Sequence, residues 1–387
     1  MTAKPTLGAD LLGASRLALE AVAGVTELVE AVHMNVLNKA IGTPVVRPVA
    51  GVTSLVYRSV KGVTSLVGGG LDAVLGKLAP ALAEQPGWTG REALLAALNG
   101  VLGDRLEHTG NPLAITMAFK QGATPDAPTP PLNRILVLAH GLCMNHLQWL
   151  RDGVDHGAML ARERGYTPVY LHYNSGRHIS QNGRDFAQQL AALIAGWPVP
   201  VTELVIVGHS MGGLVARSAC HYAALEQMAW PGLLRKLVFL GTPHHGAPLE
   251  RGGNWVHLLT DLSAYSAPFS RLAKLRSAGI TDLRHGSVLD ADWQDRDRFA
   301  HGLALPQWVA LPPAVQAFAV GATIASEAGS LTDRMLASDG LVPLSSALGQ
   351  HSDPARCLDL TTAVVCQTNH MQLLSSPEVG RLLLNWL

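Results

Sequence analysis

A serine between two glycines is the residue of this sequence best suited to do chemistry. Residues 208–212 read Gly-His-Ser-Met-Gly and directly follow the apolar run Leu-Val-Ile-Val at 204–207. The run predicts a buried strand, and a helix is predicted at 212–228. A serine on such a strand–turn–helix presents its hydroxyl above the sheet, and the flanking glycines let neighbouring backbone pass close by. The pattern predicts that Ser210 is a nucleophile for acyl groups.

An acyl-transfer nucleophile needs N–H donors for the charge that develops on the attacked carbonyl oxygen. The predicted strand 134–139 runs directly into His140-Gly141-Leu142. We expect the backbone N–H groups of Leu142 and Met211 to form this oxyanion hole, with the helix dipole aiding Met211. His140 is expected to shape the loop and not to act as the base.

The general base is expected late in the chain, because the order in this architecture is serine, acid, histidine. The sequence has 16 histidines, so position decides among them. His370 follows the strand-like run 363–366 and precedes the predicted helix 377–387, and we choose it as the base. His351 is the main alternative, although no clear strand precedes its polar loop.

For the acid we choose Asp339, which lies between the predicted strand 314–320 and His370. A carboxylate there would orient the imidazole and stabilise its cationic form. Asp333 and Asp353 are weaker alternatives.

Strands and helices alternate from about residue 113 onward, which predicts a mostly parallel sheet covered by helices. The predicted strands are 114–119, 134–139, 168–173, 204–207, 236–240, 314–320 and 363–366, and the helices include 184–195, 212–228 and 377–387. The proline-rich residues 125–131 read as a linker into the second strand.

Residues 1–112 are predicted to be a helical extension of a catalytic domain, 113–387. The segment Gly-Val-Thr-Ser-Leu-Val occurs at 51–56 and again at 62–67, eleven residues on. Eleven residues make three helical turns at about 3.67 residues per turn, so the same face returns. The apolar stripe predicts packing on the catalytic domain, with peripheral association with a membrane or lipid surface as the alternative.

Residues 247–312 interrupt the alternation, and we expect them to form a lid or cap over the cleft. The alternative is a subdomain that does not move. Its large apolar residues are Trp255, Leu258, Leu259, Tyr265, Phe269, Trp293 and Phe299. Apolar faces on a lid would favour acyl or polyester substrates.

The 29 basic residues are balanced by 29 acidic ones, so nothing in the charge suggests a polyanionic partner, and no nucleic acid is expected to bind. We see no secretory signal and no apolar run near the 18–20 or so residues that cross a bilayer, so a cytoplasmic location is expected. The cysteines Cys143, Cys220, Cys357 and Cys366 show no CxxC or metal spacing. Reduced thiols are expected, with a Cys357–Cys366 bridge as the alternative. The sequence does not predict the oligomeric state.

These segments together resemble the α/β-hydrolase superfamily, specifically its bacterial lipase-like and carboxylesterase members. The matching residues are His140-Gly141, 208–212, Gly-Thr-Pro-His-His-Gly at 241–246, Asp-Gly-Leu-Val-Pro at 339–343 and Asn369-His370. The resemblance covers about residues 113–387. The 241–246 segment is frequent in such lipases and in relatives of the deacylases that act on lipid anchors.

The resemblance implies an α/β-hydrolase fold, a Ser-His-Asp mechanism and no organic cofactor. Some lipases of this kind hold a calcium ion with acids near the catalytic histidine. Here no acid follows His370 before Glu378, so no metal is expected.

The leading interpretation is therefore hydrolysis of carboxylic esters through an acyl-enzyme, on an ester, lipid or polyester substrate. The alternatives are an acyltransferase or amidase with the same triad, or a lipid- or polymer-surface binding protein with an inactive hydrolase domain.

Overall fold

The computed structural model describes residues 12–13, 16, 91–120, 130–247, 277–294, 305–326 and 338–387. The repeats at 51–56 and 62–67, most of the predicted linker, Asp333 and all the large apolar residues of the insertion named above except Trp293 lie outside the described residues. The chain divides into two compact units, one of Met1–Arg91 with Leu106–Ala114 and one of Glu92–Arg105 with Ile115–Leu387. The functional residues predicted above all belong to the second unit.

The described part of the second unit contains a seven-stranded sheet with the strand order β1-β5-β2-β6-β7-β8-β9. Its strands are β1 Ala118–Lys120, β2 Arg134–Ala139, β5 Thr167–His172, β6 Glu203–His209, β7 Leu234–Leu240, β8 Gln316–Ala322 and β9 Thr361–Val365. The short strands β3 Leu150–Arg151 and β4 Val154–Asp155 form a separate hairpin. Only β1 pairs antiparallel in the large sheet, so the predicted mostly parallel sheet is confirmed.

Helices flank these strands. They are α1 Arg91–His108, α2 His156–Arg164, α3 Ile179–Ala195, α4 Met211–Leu225, α5 Ala278–His285, α6 Leu344–Ala347 and α7 Pro377–Trp386. The sequence interpretation missed α2, whose apolar pattern is weak. Its boundaries come from its caps, since the Asp155 carboxylate accepts from the Ala158 N–H and Gly165 closes the helix at a φ of 67°.

Three segments differ from the sequence prediction by three or more residues at one end. The helix predicted at 184–195 begins five residues earlier, at Ile179. The first strand begins at Ala118 and not at 114, because the Ile115 N–H donates to the Asn99 side chain, 2.9 Å away, instead of to a strand. The nucleophile helix ends at Leu225, three residues before the predicted end.

The apolar runs of β2 and β6 are buried from their second residue onward, as expected for parallel strands covered on both faces. β6 lies between β2 and β7 near the middle of the sheet. In the register Ala139 pairs with Gly208, and His209 pairs with Leu240. The carboxyl ends of these three strands therefore meet at one edge, directly before His140, Ser210 and Gly241.

The described part of the predicted lid, 277–294, is held by buried hydrogen bonds. The Ser277 hydroxyl donates to the Gly100 carbonyl at 2.7 Å, and the Ser218 hydroxyl donates to the Val288 carbonyl at 2.7 Å. The Asp282 carboxylate accepts from the Ile179 N–H at 2.8 Å. These contacts fix α5 to the helices beside the sheet, and movement of a lid stays a prediction.

None of the helices within the described ranges has the length and apolar character that crossing a membrane requires. All four cysteines are free thiols, so the alternative Cys357–Cys366 bridge is not formed.

Candidate active site

Ser210 lies on a strained turn between β6 and α4. Its backbone adopts φ 53° and ψ −123°, a conformation that costs a non-glycine residue about 1–3 kcal/mol. The surrounding backbone holds it there, since the Ser210 N–H donates to the Leu240 carbonyl at 2.9 Å and its own carbonyl accepts from Gly213 at 3.1 Å. Strain of this kind, imposed by the end of β7, is expected where a turn projects a reactive side chain.

The glycines of this turn are required by close backbone approach. A Cβ atom on Gly208 would lie 2.5 Å from the Gly213 Cα, and one on Gly212 would lie 2.2 Å from the Ala139 carbonyl oxygen. The start of α4 therefore packs directly on the end of β2, which brings the loop after Ala139 beside Ser210.

His370 and Asp339 form a buried pair. The imidazole Nδ1 lies 2.7 Å from the Asp339 Oδ2, and the two residues are 3% and 1% exposed. A carboxylate only accepts, so Nδ1 carries the proton and Nε2 is the nitrogen that can take another. The Asp339 Oδ1 accepts from the backbone N–H groups of Leu341 at 3.0 Å and Val342 at 2.8 Å, which fixes the carboxylate.

The alternative residues lie elsewhere. The His351 ring is 4.9 Å from the His245 ring, in a different cavity from that of Ser210. Asp353 caps the short helical turn Pro354–Arg356, where its carboxylate accepts from the Ala355 N–H.

Ser210 and His370 line one cavity. Its volume is 10 Å³, which is room for about one water molecule. Gly241 allows the imidazole to lie over the end of β7, because a Cβ there would stand 3.1 Å from the His370 Nδ1. The other residues that line the cavity are Gly141, Leu142, Met144, His209, Ala247, Leu283, Leu341, Val342 and Met371.

His140 orients the peptide that carries the Leu142 N–H. Its Nδ1 lies 2.8 Å from the Gly141 carbonyl oxygen, and its Nε2 accepts from the Tyr173 N–H at 3.4 Å. Burial lowers the pKa of His140 to about 3, so the ring is neutral and Nδ1–H is the donor. The Gly141 carbonyl and the Leu142 N–H belong to one trans peptide and point in opposite directions. Holding the carbonyl therefore aims the N–H.

The two N–H groups expected to form the oxyanion hole belong to neighbouring segments. A Cβ on Gly141 would lie 3.1 Å from the Ser210 Cβ, so the loop and the serine turn touch. Within the described residues no backbone or side-chain group accepts from the Leu142 N–H. Met211 begins α4, and first-turn N–H groups have no partner inside their own helix.

His209, between the glycine and the serine of the motif, was not singled out from the sequence. Its Nε2 lies 3.1 Å from the His370 carbonyl oxygen, and its ring lies 4.8 Å from the His370 ring. Burial and the neighbouring His370 lower its pKa well below the usual value, so the ring is neutral and donates through Nε2. His209 therefore holds the backbone of His370. No local signal in the sequence marks this contact, because it joins residues far apart in the chain.

The chain is similar to one protein-family profile and to several solved structures. The profile of the PGAP1-like alpha/beta domain matches residues 173–311, which include the serine turn. No curated protein matches the chain. A Bacillus licheniformis lipase in its mature form is 19% identical, with 70% of this chain and 98% of that chain covered and a TM-score of 0.41. A lipase-esterase related protein from Clostridium acetobutylicum is 12% identical, with 70% and 100% covered and a TM-score of 0.37.

The sheet order and the strand–turn–helix around Ser210 define an α/β-hydrolase fold. This fold agrees with the resemblance to the α/β-hydrolase superfamily that was drawn from the motifs.

Proposed function

We propose that the protein is a serine hydrolase that cleaves carboxylic esters. Ser210 is the nucleophile, His370 is the general base and acid, Asp339 orients His370, and the N–H groups of Leu142 and Met211 bind the oxyanion. The observation that carries the proposal is the His370 Nδ1–Asp339 Oδ2 contact of 2.7 Å beside a strained serine that lines the same cavity.

The reaction follows from these positions. The Ser210 oxygen bonds to the ester carbonyl carbon while His370 Nε2 takes its proton, and the carbonyl oxygen becomes an oxyanion. The carbon–oxygen bond to the alcohol then breaks, and His370 returns the proton to the leaving alcohol. Water, deprotonated by the same nitrogen, attacks the acyl-enzyme and releases the acid and the free serine.

The walls of the cavity support an acyl group as the part of the substrate that enters. Its apolar side chains are Leu142, Met144, Leu283, Leu341, Val342 and Met371. Burial of apolar surface stabilises a bound acyl chain by about 25 cal/mol for each Å² removed from water.

Turnover of a p-nitrophenyl ester by Ser210→Ala tests the proposal. We expect a loss of about 10⁴-fold or more in kcat and no labelling by a fluorophosphonate probe. Ser375→Ala is the matched control, since that hydroxyl donates to the Asp152 carboxylate at the surface and lies outside the cavity. Undiminished turnover by Ser210→Ala, with unchanged folding by circular dichroism, would overturn the assignment.

A further inference from the structure

A second cavity, which we name the basic cavity, is lined by cationic and imidazole side chains. They are Arg217, Arg356, His244, His245, His285 and His351. No acidic residue is among the described residues that line it. Its volume is 30 Å³, which is enough for about two water-sized groups.

Arg217 carries a buried charge without a carboxylate. The residue is 4% exposed, and its Nη2 donates to the Val309 carbonyl at 2.8 Å. Its Nε is buried and has no hydrogen-bond partner in the part of the chain described. Burial lowers the pKa of this guanidinium to about 10, which leaves it charged at neutral pH. A buried charge without an anionic partner is costly, so an anion in the cavity would stabilise it.

Two further residues that line the basic cavity carry a donor without an acceptor among the described residues. The His244 Nδ1 lies 3.4 Å from the Arg217 Nη1 and accepts from it, so the imidazole proton is on Nε2, which is buried and unpartnered. The Arg356 Nη2 donates to the Pro306 carbonyl at 2.7 Å, whereas its Nε has no partner among the described residues. Three N–H groups and two guanidinium charges fit an oxyanion, because a water molecule accepts hydrogen bonds but neutralises no charge.

The basic cavity lies beside a larger cavity of 620 Å³. The two share His245, His285 and His351. The larger cavity also lies beside the Ser210 cavity, because neighbouring residues of the chain line the two. The pairs, with the residue of the larger cavity first, are Gly246 and Ala247, Arg284 and Leu283, and Pro343 and Val342. The larger cavity therefore lies between the basic cavity and the Ser210 cavity.

We propose that the basic cavity binds a carboxylate or phosphate group carried by the ester substrate, so that the enzyme prefers anionic esters. This inference rests on the proposed ester hydrolysis at Ser210. The anionic group accepts from Arg217, His244 and Arg356, while the rest of the substrate occupies the larger cavity.

The test compares pairs of p-nitrophenyl esters of equal length, one ending in a free carboxylate and one in its methyl ester, across diacids from glutarate to sebacate. Because Arg217 is buried, Arg217→Met is at risk of not folding, and Arg356→Gln is the main variant. We expect wild type to favour the carboxylate ester, and the kcat/KM ratio of carboxylate to methyl ester to fall about tenfold in Arg356→Gln. Arg381→Gln, at an exposed position of α7, should keep the wild-type ratio.

Inorganic phosphate tests whether the basic cavity binds the anionic group of the substrate or only a free anion. We expect phosphate to raise the KM for the carboxylate ester in wild type and to lose this effect in Arg356→Gln. Equal kcat/KM for the two esters in wild type would overturn the inference. The inference would also be overturned if phosphate raised the melting temperature but did not compete with the carboxylate ester, because the cavity would then bind only a free ion. If wild type hydrolyses the methyl ester, the proposed ester hydrolysis holds whether or not the basic cavity binds the anion. If wild type hydrolyses neither ester, the proposed function itself has failed.

Discussion

The Nδ1 of His140 lies 2.8 Å from the carbonyl oxygen of Gly141, the next residue in the chain. This contact sets the plane of the peptide whose N–H belongs to Leu142. The Tyr173 hydroxyl donates to the His140 carbonyl at 2.7 Å, and the Tyr173 ring stacks on the imidazole with centroids 4.3 Å apart. The loop that we propose to bind the oxyanion is thus held on both sides of His140 before any substrate binds. Such preorganisation stabilises a transition state.

Replacing His140 should slow the chemical step more than it weakens substrate binding. We expect His140→Ala to lower kcat by about 10–100-fold with little change in KM, because the Leu142 N–H is then no longer aimed. His140→Asn retains an N–H donor and should recover part of kcat. Steady-state kinetics on a p-nitrophenyl ester provide both parameters. A raised KM with an unchanged kcat would show that His140 does not position the oxyanion donor.

Asp339→Asn should reduce kcat by about 10⁴-fold while the loop keeps its shape. The amide oxygen can still accept from the Leu341 and Val342 N–H groups, but the amide nitrogen cannot accept from the His370 Nδ1. The imidazole then takes the wrong tautomer. Asp353→Asn is the control, since that carboxylate caps Pro354–Arg356 and lies outside the Ser210 cavity. Similar losses in both variants would contradict the assignment of the acid.

Buried neutral histidines should make the protein sensitive to acid. Burial lowers the pKa of His140 to about 3, and burial with nearby His140, His146 and Lys120 lowers that of His172 to about 2. Above about pH 6.5 these rings are neutral whether folded or not, so their effect is absent. As the pH falls below this value only the unfolded chain binds the protons, and each ring lowers the free energy of unfolding by up to about 1.4 kcal/mol per pH unit.

Urea unfolding at about pH 7, 6 and 5 measures this slope. His140→Gln removes one of the titrating groups, so its slope below about pH 6.5 should be smaller by up to about 1.4 kcal/mol per unit. Identical slopes in the variant and wild type would mean that His140 is not held neutral.

Leu283 should limit the size of the acyl group. It belongs to α5, is 3% exposed and lines the Ser210 cavity. We expect Leu283→Ala to raise kcat/KM for long acyl chains relative to short ones, and to lower the free energy of unfolding by about 2–5 kcal/mol. Leu190→Ala, a fully buried change on α3 outside the cavity, should destabilise the protein without changing the chain-length preference. If Leu283→Ala kept the wild-type ratio of kcat/KM for long and short acyl chains, Leu283 would not limit the size of the acyl group.

The sequence predicted the sheet and the neighbourhood of Ser210, because each rests on a short local pattern. Apolar runs mark the buried strands, and the glycines around Ser210 are required by backbone contacts of 2.2 and 2.5 Å. Asp339 and His370 were chosen from chain order, and the structure brings them into contact.

Contacts between distant segments were beyond the reach of such patterns. Arg217 looks like an ordinary helix residue, and its burial depends on packing against Trp308 and Val309, about ninety residues later. His209 and Tyr173 likewise acquire their roles only through partners that the fold supplies. The repeats at 51–56 and 62–67 lie outside the described residues, and their packing or membrane contact remains a prediction.

The covalent intermediate on Ser210 provides the most direct test of the account. The protein is mixed with a p-nitrophenyl ester, quenched in acid within the first turnover and analysed by peptide mass spectrometry. We expect the mass of one acyl group on the peptide that contains Ser210, formed together with a burst of p-nitrophenol. Steady ester turnover with Ser210 unmodified, or an acyl group that accumulates on another residue, would contradict the central claim.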